Sequence, residues 1–128
     1  MGRALCRSLF RTSALTPLPE GRGWSARAAL MIDHPIFQGH FPGRPVTPGM
    51  AMVQLAQQLL SEGLSQEVHL RTARAIKFLS PLEPAIGTEL DIVLRITGEE
   101  GSSYTCDIHG TCGERAVFSL KGSFAPRT

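Results

Sequence analysis

From residue 89 to 97 apolar and polar positions alternate: Leu90, Ile92, Leu94 and Ile96 fall on one side, Asp91, Arg95 and Thr97 on the other, where only Val93 breaks the pattern. A period of two is the signature of a strand with one buried face. The spacing predicts further strands over residues 68–79, 104–109 and 116–124. An earlier one over 24–32 places Trp24, Ala26, Ala28, Leu30 and Ile32 on one face. A weaker strand is expected within 9–15. Pro17, Pro19, Gly21 and Gly23 mark a turn, and Pro81, Pro84 and Gly87 mark another. Hairpin turns are expected at 99–102 and 110–114.

One segment has a different period. From Thr47 to Gly63, Met52, Leu55, Ala56 and Leu59 recur at i, i+3, i+4 and i+7, widened by Val53 and Leu60. That is one face of a helix. Gln54, Gln57, Gln58 and Ser61 repeat along the opposite side. Thr47 suits the N-cap, Pro48 the first helical position, and Gly63 the C′ position. Two strands, one helix and four strands imply an antiparallel sheet with a helix on one face, an α+β domain. One helix covers only part of such a sheet, so an edge or face is expected to pair with a second copy.

The helix is entered through Gly39-His40-Phe41-Pro42-Gly43-Arg44-Pro45-Val46-Thr47-Pro48-Gly49. Prolines every third residue restrict both themselves and the residues before them. This stiff loop carries one titratable ring, His40. An imidazole suits general-base work near neutral pH. The unpaired N–H of Gly49, at the positive pole of a helix, suits a carbonyl oxygen that gathers charge. His34, before Pro35, reads as a turn residue.

Length and composition narrow the classes. The 128 residues suit a single domain, 1–128, with 1–14 as a loosely attached leader; 42% are hydrophobic and 19% charged. No apolar run has the length of a transmembrane helix. No membrane partner is expected on that ground, and a net charge of +2 with scattered basic residues speaks against a nucleic-acid partner. Arg3, Arg7 and Arg11 share a helical face, as in a transit peptide, but the segment is short for one and a basic leading strand or helix fits it better. Cys6, Cys106 and Cys112 lack zinc or redox spacing and read as reduced thiols in a cytoplasmic protein. His69 and His109 read as structural, and no metal site is expected. Arg71, Arg74 and Lys77 could meet an acidic partner, yet strand alternation sets Arg74 opposite the other two.

Together, this architecture and loop resemble the hot-dog fold, one long central helix wrapped by a curved antiparallel sheet and assembled as a dimer. Gly39-His40-Phe41-Pro42-Gly43-x-Pro45-Val46-x-Pro48-Gly49 is similar to the signature of the 3-hydroxyacyl-[acyl-carrier-protein] dehydratases, the FabA/FabZ type. Lys77-Phe78-Leu79-Ser80-Pro81-Leu82-Glu83-Pro84 through Gly87 and Leu90 resembles a second stretch of that family. The His34-Pro35 approach looks more like the dehydratase-like proteins of aryl-polyene clusters.

The resemblance implies removal of water from a 3-hydroxyacyl thioester, as in fatty acid biosynthesis, to give a trans-2-enoyl thioester. His40 would take the α proton, Gly49 would hold the enolate-like oxygen, and Phe37, Phe41, Pro48 and Val53 would line the acyl site. The substrate would ride on the phosphopantetheine of acyl-carrier protein or coenzyme A, with no further cofactor. The family's second catalytic group, a carboxylate fourteen residues after the histidine, falls on Gln54. An amide can bond to a hydroxyl but cannot protonate it. Three readings follow: a dehydratase in which His40 shuttles the proton or another acid such as Glu62 or Glu67 reaches the pocket, an incomplete subunit that pairs with an active partner, or a hot-dog thioesterase. Gln54 itself could line the pocket or simply belong to a solvated polar stripe.

Overall fold

The computed structural model describes residues 9–31, 49–82 and 88–127. Seven strands form one antiparallel sheet: β1 (Phe10–Thr12), β2 (Thr16–Pro17), β3 (Arg22–Leu30), β4 (His69–Phe78), β5 (Glu89–Glu100), β6 (Ser103–Cys112) and β7 (Arg115–Ala125). The spatial order is β1-β3-β5-β6-β7-β4, with the two-residue β2 also on β3. A single helix among the described residues, α1 (Gly49–Leu64), lies against one face. This is the α+β hot-dog arrangement. Among the described residues no helix is long and apolar enough to cross a membrane.

The alternation predicted for β5 is realised, with Leu90, Ile92 and Leu94 fully buried and Ile96 nearly so. They meet Ala28 and Leu30 of β3, Ile108 of β6, and Phe118, Leu120 and Phe124 of β7. Against these the helix lays Met52, Leu55, Ala56, Leu59 and Leu60, all buried. Each large side chain withdrawn from water contributes about 1.5–3 kcal/mol, so this two-layer core carries the fold. Of the expected leader, residues 1–8 lie outside those described; Leu9 and Phe10 are buried, and β1 pairs with the far end of β3.

The helix does not end at Gly63. It runs one residue further, and Ser65 takes the left-handed conformation at φ 52°. Gly63 serves a different purpose. A Cβ there would lie 2.6–2.8 Å from the Trp24 ring. Glycine permits close packing at this point, and the turn is closed by bonds from Ser65 N–H to Glu62 O and from Gln66 N–H to Ser61 O. Both hairpins are tighter than expected. Gly101 and Gly113, at φ 61° and 62°, supply the left-handed turns, and Gly110 stays inside β6 beneath the Phe118 ring.

Candidate functional site

The site predicted from sequence divides into two parts. His40, Phe37, Phe41 and Pro48, with His34, lie in the segment 32–48, outside the described residues. Gly49, Val53 and Gln54 are described, on the first turns of α1. Gly49 opens the helix. The N–H groups of a first turn have no acceptor within the helix, and α1 carries no acidic residue there to neutralise its positive pole. The end is therefore suited to an anionic oxygen.

Gly49 also meets the end of β4. A Cβ on it would stand 2.7–2.9 Å from the tip of the Phe78 ring. Glycine is what lets the ring approach the helix start. Phe78 is nevertheless 54% exposed, and beside it Met50 is 64%, Leu79 54% and Ile76 37% exposed. Ile76 and Phe78 stand opposite buried Leu120 and Phe118 on β7, so they point to the helix side of the sheet. The helix start is thus flanked by apolar surface that the described residues leave exposed. In the sequence Phe78 stands out only as part of a motif; its place over Gly49 depends on where β4 ends.

The polar stripe of α1 is not a solvated face. Gln57 Oε1 accepts the N–H of Leu70 at 2.8 Å, and its Nε2 lies 3.4 Å from His69 Nδ1. Ser61 Oγ donates to Gln57 O at 2.8 Å and accepts the Val68 N–H at 3.0 Å. These two side chains clamp the beginning of β4 to the helix. Gln58 Nε2 reaches Glu62 Oε1 at 3.4 Å.

Gln54 differs. Its Oε1 is buried with no hydrogen-bond partner among the described residues. A buried amide oxygen without a partner costs about 1–3 kcal/mol, so native proteins rarely keep one without a use. Gln54 lies five residues into α1, about 7.5 Å along the axis from Gly49. Gln58 Oε1, one turn further on, is likewise buried without a partner among the described residues. Val53 is buried with the core, 6% exposed.

His109 and Cys106 lie on β6, away from the helix start. His109 Nε2 lies 2.9 Å from Asp107 Oδ1 on the same strand. Cys106 is 1% exposed, and burial pushes its thiol up to about 12, which makes it inert near neutral pH. Among the described residues no group of three histidines, cysteines or acids could hold a metal ion.

One helix on a seven-stranded antiparallel sheet is the hot-dog arrangement, and here the helix start carries no acidic residue and Gln54 Oε1 is buried without a partner among the described residues. The family model of the ApeI-like proteins, described as ApeI dehydratase, matches residues 18–118, and the chain belongs to that family. This agrees with the resemblance of its loop to the FabA/FabZ type and of its His34-Pro35 approach to the proteins of aryl-polyene clusters.

A 3-hydroxyacyl-[acyl-carrier-protein] dehydratase FabZ of Rhizorhabdus wittichii is 34% identical over 97 residues, covering 65% of this chain and 62% of that protein. The FabZ of Nitratiruptor sp. is 30% identical over 103 residues, covering 70% and 68%. The chain thus spans somewhat under two thirds of the Rhizorhabdus relative. Among solved structures, an uncharacterized protein from Erwinia carotovora subsp. atroseptica matches with a TM-score of 0.61 at 26% identity, covering 91% and 93% of the two chains. The dehydratase heterocomplex ApeI:P from Xenorhabdus doucetiae matches with a TM-score of 0.69 at 19% identity, covering 86% and 98%.

Proposed function

We propose that this chain is a dehydratase of 3-hydroxyacyl thioesters, with His40 as the base and Gln54 as the residue that positions the departing hydroxyl. The observation that carries the reading is the amide oxygen of Gln54, buried and without a partner among the described residues, on a helix whose neighbouring Gln57 and Ser61 are engaged. In this reading a substrate hydroxyl supplies the missing partner. His40 removes the proton α to the thioester carbonyl, charge moves to the carbonyl oxygen, and the Gly49 N–H holds it. The same imidazole, now protonated, returns that proton to the 3-hydroxyl as the C–O bond breaks, and water leaves with a trans-2-enoyl thioester behind. The carboxylate of the usual arrangement is absent, so turnover is expected to be slower by about 10²–10⁴-fold than with a positioned acid.

Turnover of a 3-hydroxyacyl thioester and of a simple acyl thioester, measured side by side, tests the reading. It expects enoyl product from the first, no free thiol from either, and loss of activity in His40→Ala. Free thiol released from the simple thioester would make the chain a thioesterase instead. A second reading is favoured by the uncovered apolar surface of Ile76, Phe78, Met50 and Leu79. In it the chain is the incomplete half of a pair whose partner covers that surface and supplies the acid. The ApeI:P heterocomplex among the fold neighbours is consistent with pairing. Under either reading the substrate rides on phosphopantetheine, of acyl-carrier protein or coenzyme A, in the cytoplasm.

A further inference from the structure

The edge strand β4 carries Arg71, Arg74 and Lys77 and no acidic residue. In an unbroken strand Arg74 would share the side of Ile76 and Phe78, facing the helix layer. It does not, because β4 slips register against β7 twice, between Leu70 and Thr72 and between Ala73 and Ala75. Arg71 and Arg74 are the two residues left over. In a β-bulge two residues oppose one on the partner strand. Arg71 joins Thr72 opposite Ser123, and Arg74 joins Ala75 opposite Lys121.

Ser123 and Lys121 alternate with buried Leu120, Gly122 and Phe124, so they mark the outer face of the sheet. Lys77, opposite Ser119, points the same way. The two bulges therefore put Arg71, Arg74, Lys77 and Lys121 on one outer face, all of them exposed. The sequence builds this in at Gly122, where a Cβ would lie 2.4 Å from the Thr72 carbonyl oxygen.

Strand β7 carries no acid either. The acids nearest in register are Asp107, opposite Lys121 on β6 and 2.9 Å from His109, and Glu67, 3.8 Å from His69. Acids otherwise concentrate on β5, where Asp91 pairs with Arg27 and Glu99 with Arg22. A nearly neutral chain has thus sorted its charge and left one edge basic. Side chains stand perpendicular to a sheet, so the row stays open even when the edge of β4 is hydrogen-bonded to another subunit.

We propose that this basic row is the docking face for an acidic protein that carries the acyl thioester. The inference rests on the thioester-dehydratase reading above and adds to it where the carrier sits. Charges at such a rim act mainly on association and lose force as salt screens them over about 8 Å at physiological ionic strength.

The test combines Arg71→Glu, Arg74→Glu and Lys77→Glu in one full-length protein, with Arg74→Gln as a milder variant should the triple change fail to fold. Turnover is compared on a 3-hydroxyacyl group carried by acyl-carrier protein and on the same group as an uncharged pantetheine thioester. Binding of the holo carrier protein is followed separately by fluorescence anisotropy at low and high salt.

The expected result is a rise of about tenfold or more in KM for the carrier-borne substrate, with kcat and the pantetheine thioester unchanged. Carrier binding should weaken with salt in the wild type and be lost in the variant. An equal loss on both substrates, unchanged carrier binding, or a loss explained by altered oligomeric state would overturn the proposal. A wild type that binds the carrier through this row yet turns over neither substrate would keep the docking face and remove the dehydratase reading.

Discussion

The sharpest test of the site is Gln54→Glu, which replaces an amide by an acid of nearly the same shape. Gln54 Oε1 is buried and has no partner among the described residues. An ionised carboxylate in its place would lose hydration with no partner among the described residues to offset the loss, so the neutral acid is favoured and the carboxyl pKa rises. A carboxyl that stays protonated toward neutral pH is the general acid the site lacks. The expected gain is about 10²–10⁴-fold in kcat, equivalent to about 3–5 kcal/mol of transition-state stabilisation.

Stability should move in a defined direction too. With a raised pKa the folded state holds its proton where the unfolded chain releases it, above about pH 4.3. The contribution of the new group is therefore fully present at acid pH and is lost as pH rises through the folded pKa. Enoyl formation gives the rate, and urea unfolding at about pH 5 and about pH 8 gives the stability. A companion, Gln54→Leu, removes the unpartnered amide; it should leave stability unchanged or raise it by about 1 kcal/mol while reducing turnover. A destabilised Leu variant, or a Glu variant that is no faster and equally stable at both pH values, would show that the amide is structural or hydrated.

Three further outcomes follow from the fold. Gly63→Ala should gain about 1 kcal/mol of helix propensity but lose about 1–3 kcal/mol against the Trp24 ring 2.6–2.8 Å away, a net destabilisation in chemical denaturation; in a Trp24→Leu background the sign should reverse. Gln57→Leu removes the acceptor of the Leu70 N–H and the contact to His69, so it should cost about 1–3 kcal/mol and accelerate amide exchange at Leu70. Cys106, its thiol raised from 9.0 to about 12 by burial, should resist alkylation in the native protein and react at once in urea. Because the unfolded chain gives up this proton first, stability should fall as pH rises from about 9 upward, and Cys106→Ala should flatten that slope.

The elements that could be read in advance were those whose pattern answers to one partner surface. Strand β5 and helix α1 each present a single apolar face to the same core, so their periods of two and 3.6 survive in the sequence. Strand β4 could not be read this way. Its two bulges flank the close approach to Gly122 on another strand, which the local pattern does not show, and a simple alternation put Arg74 on the wrong side. Gly63 misled for a related reason, since glycine serves equally to end a helix and to admit a ring, and only the position of Trp24 decides between them. Strand β2, two residues long, is too short to carry any period. The polar stripe of α1 looked like a water-facing surface because the sequence does not show that β4 begins beneath Gln57 and Ser61.

That same stripe explains why the site asks for something from outside the chain. A helix packed on a broad sheet has an apolar side that is filled and a second side that must be covered. Here the second side is divided in two. In its later half Gln57 and Ser61 are satisfied by the backbone of residues 68–70, while Gln58 turns its Nε2 to Glu62 and keeps a buried Oε1 without a partner among the described residues. Its earlier half, Gln54, finds no such partner among the described residues, although its oxygen is equally shielded from water. At the same level β4 has run on to Ile76 and Phe78, whose methyls and ring face the helix layer and stay exposed. Polar need and apolar excess thus meet at one end of the helix, beside first-turn N–H groups that have no acceptor within it. An acyl thioester answers both, with its hydroxyl for the amide and its chain for the apolar wall, and a second subunit laid along β4 would close the rest.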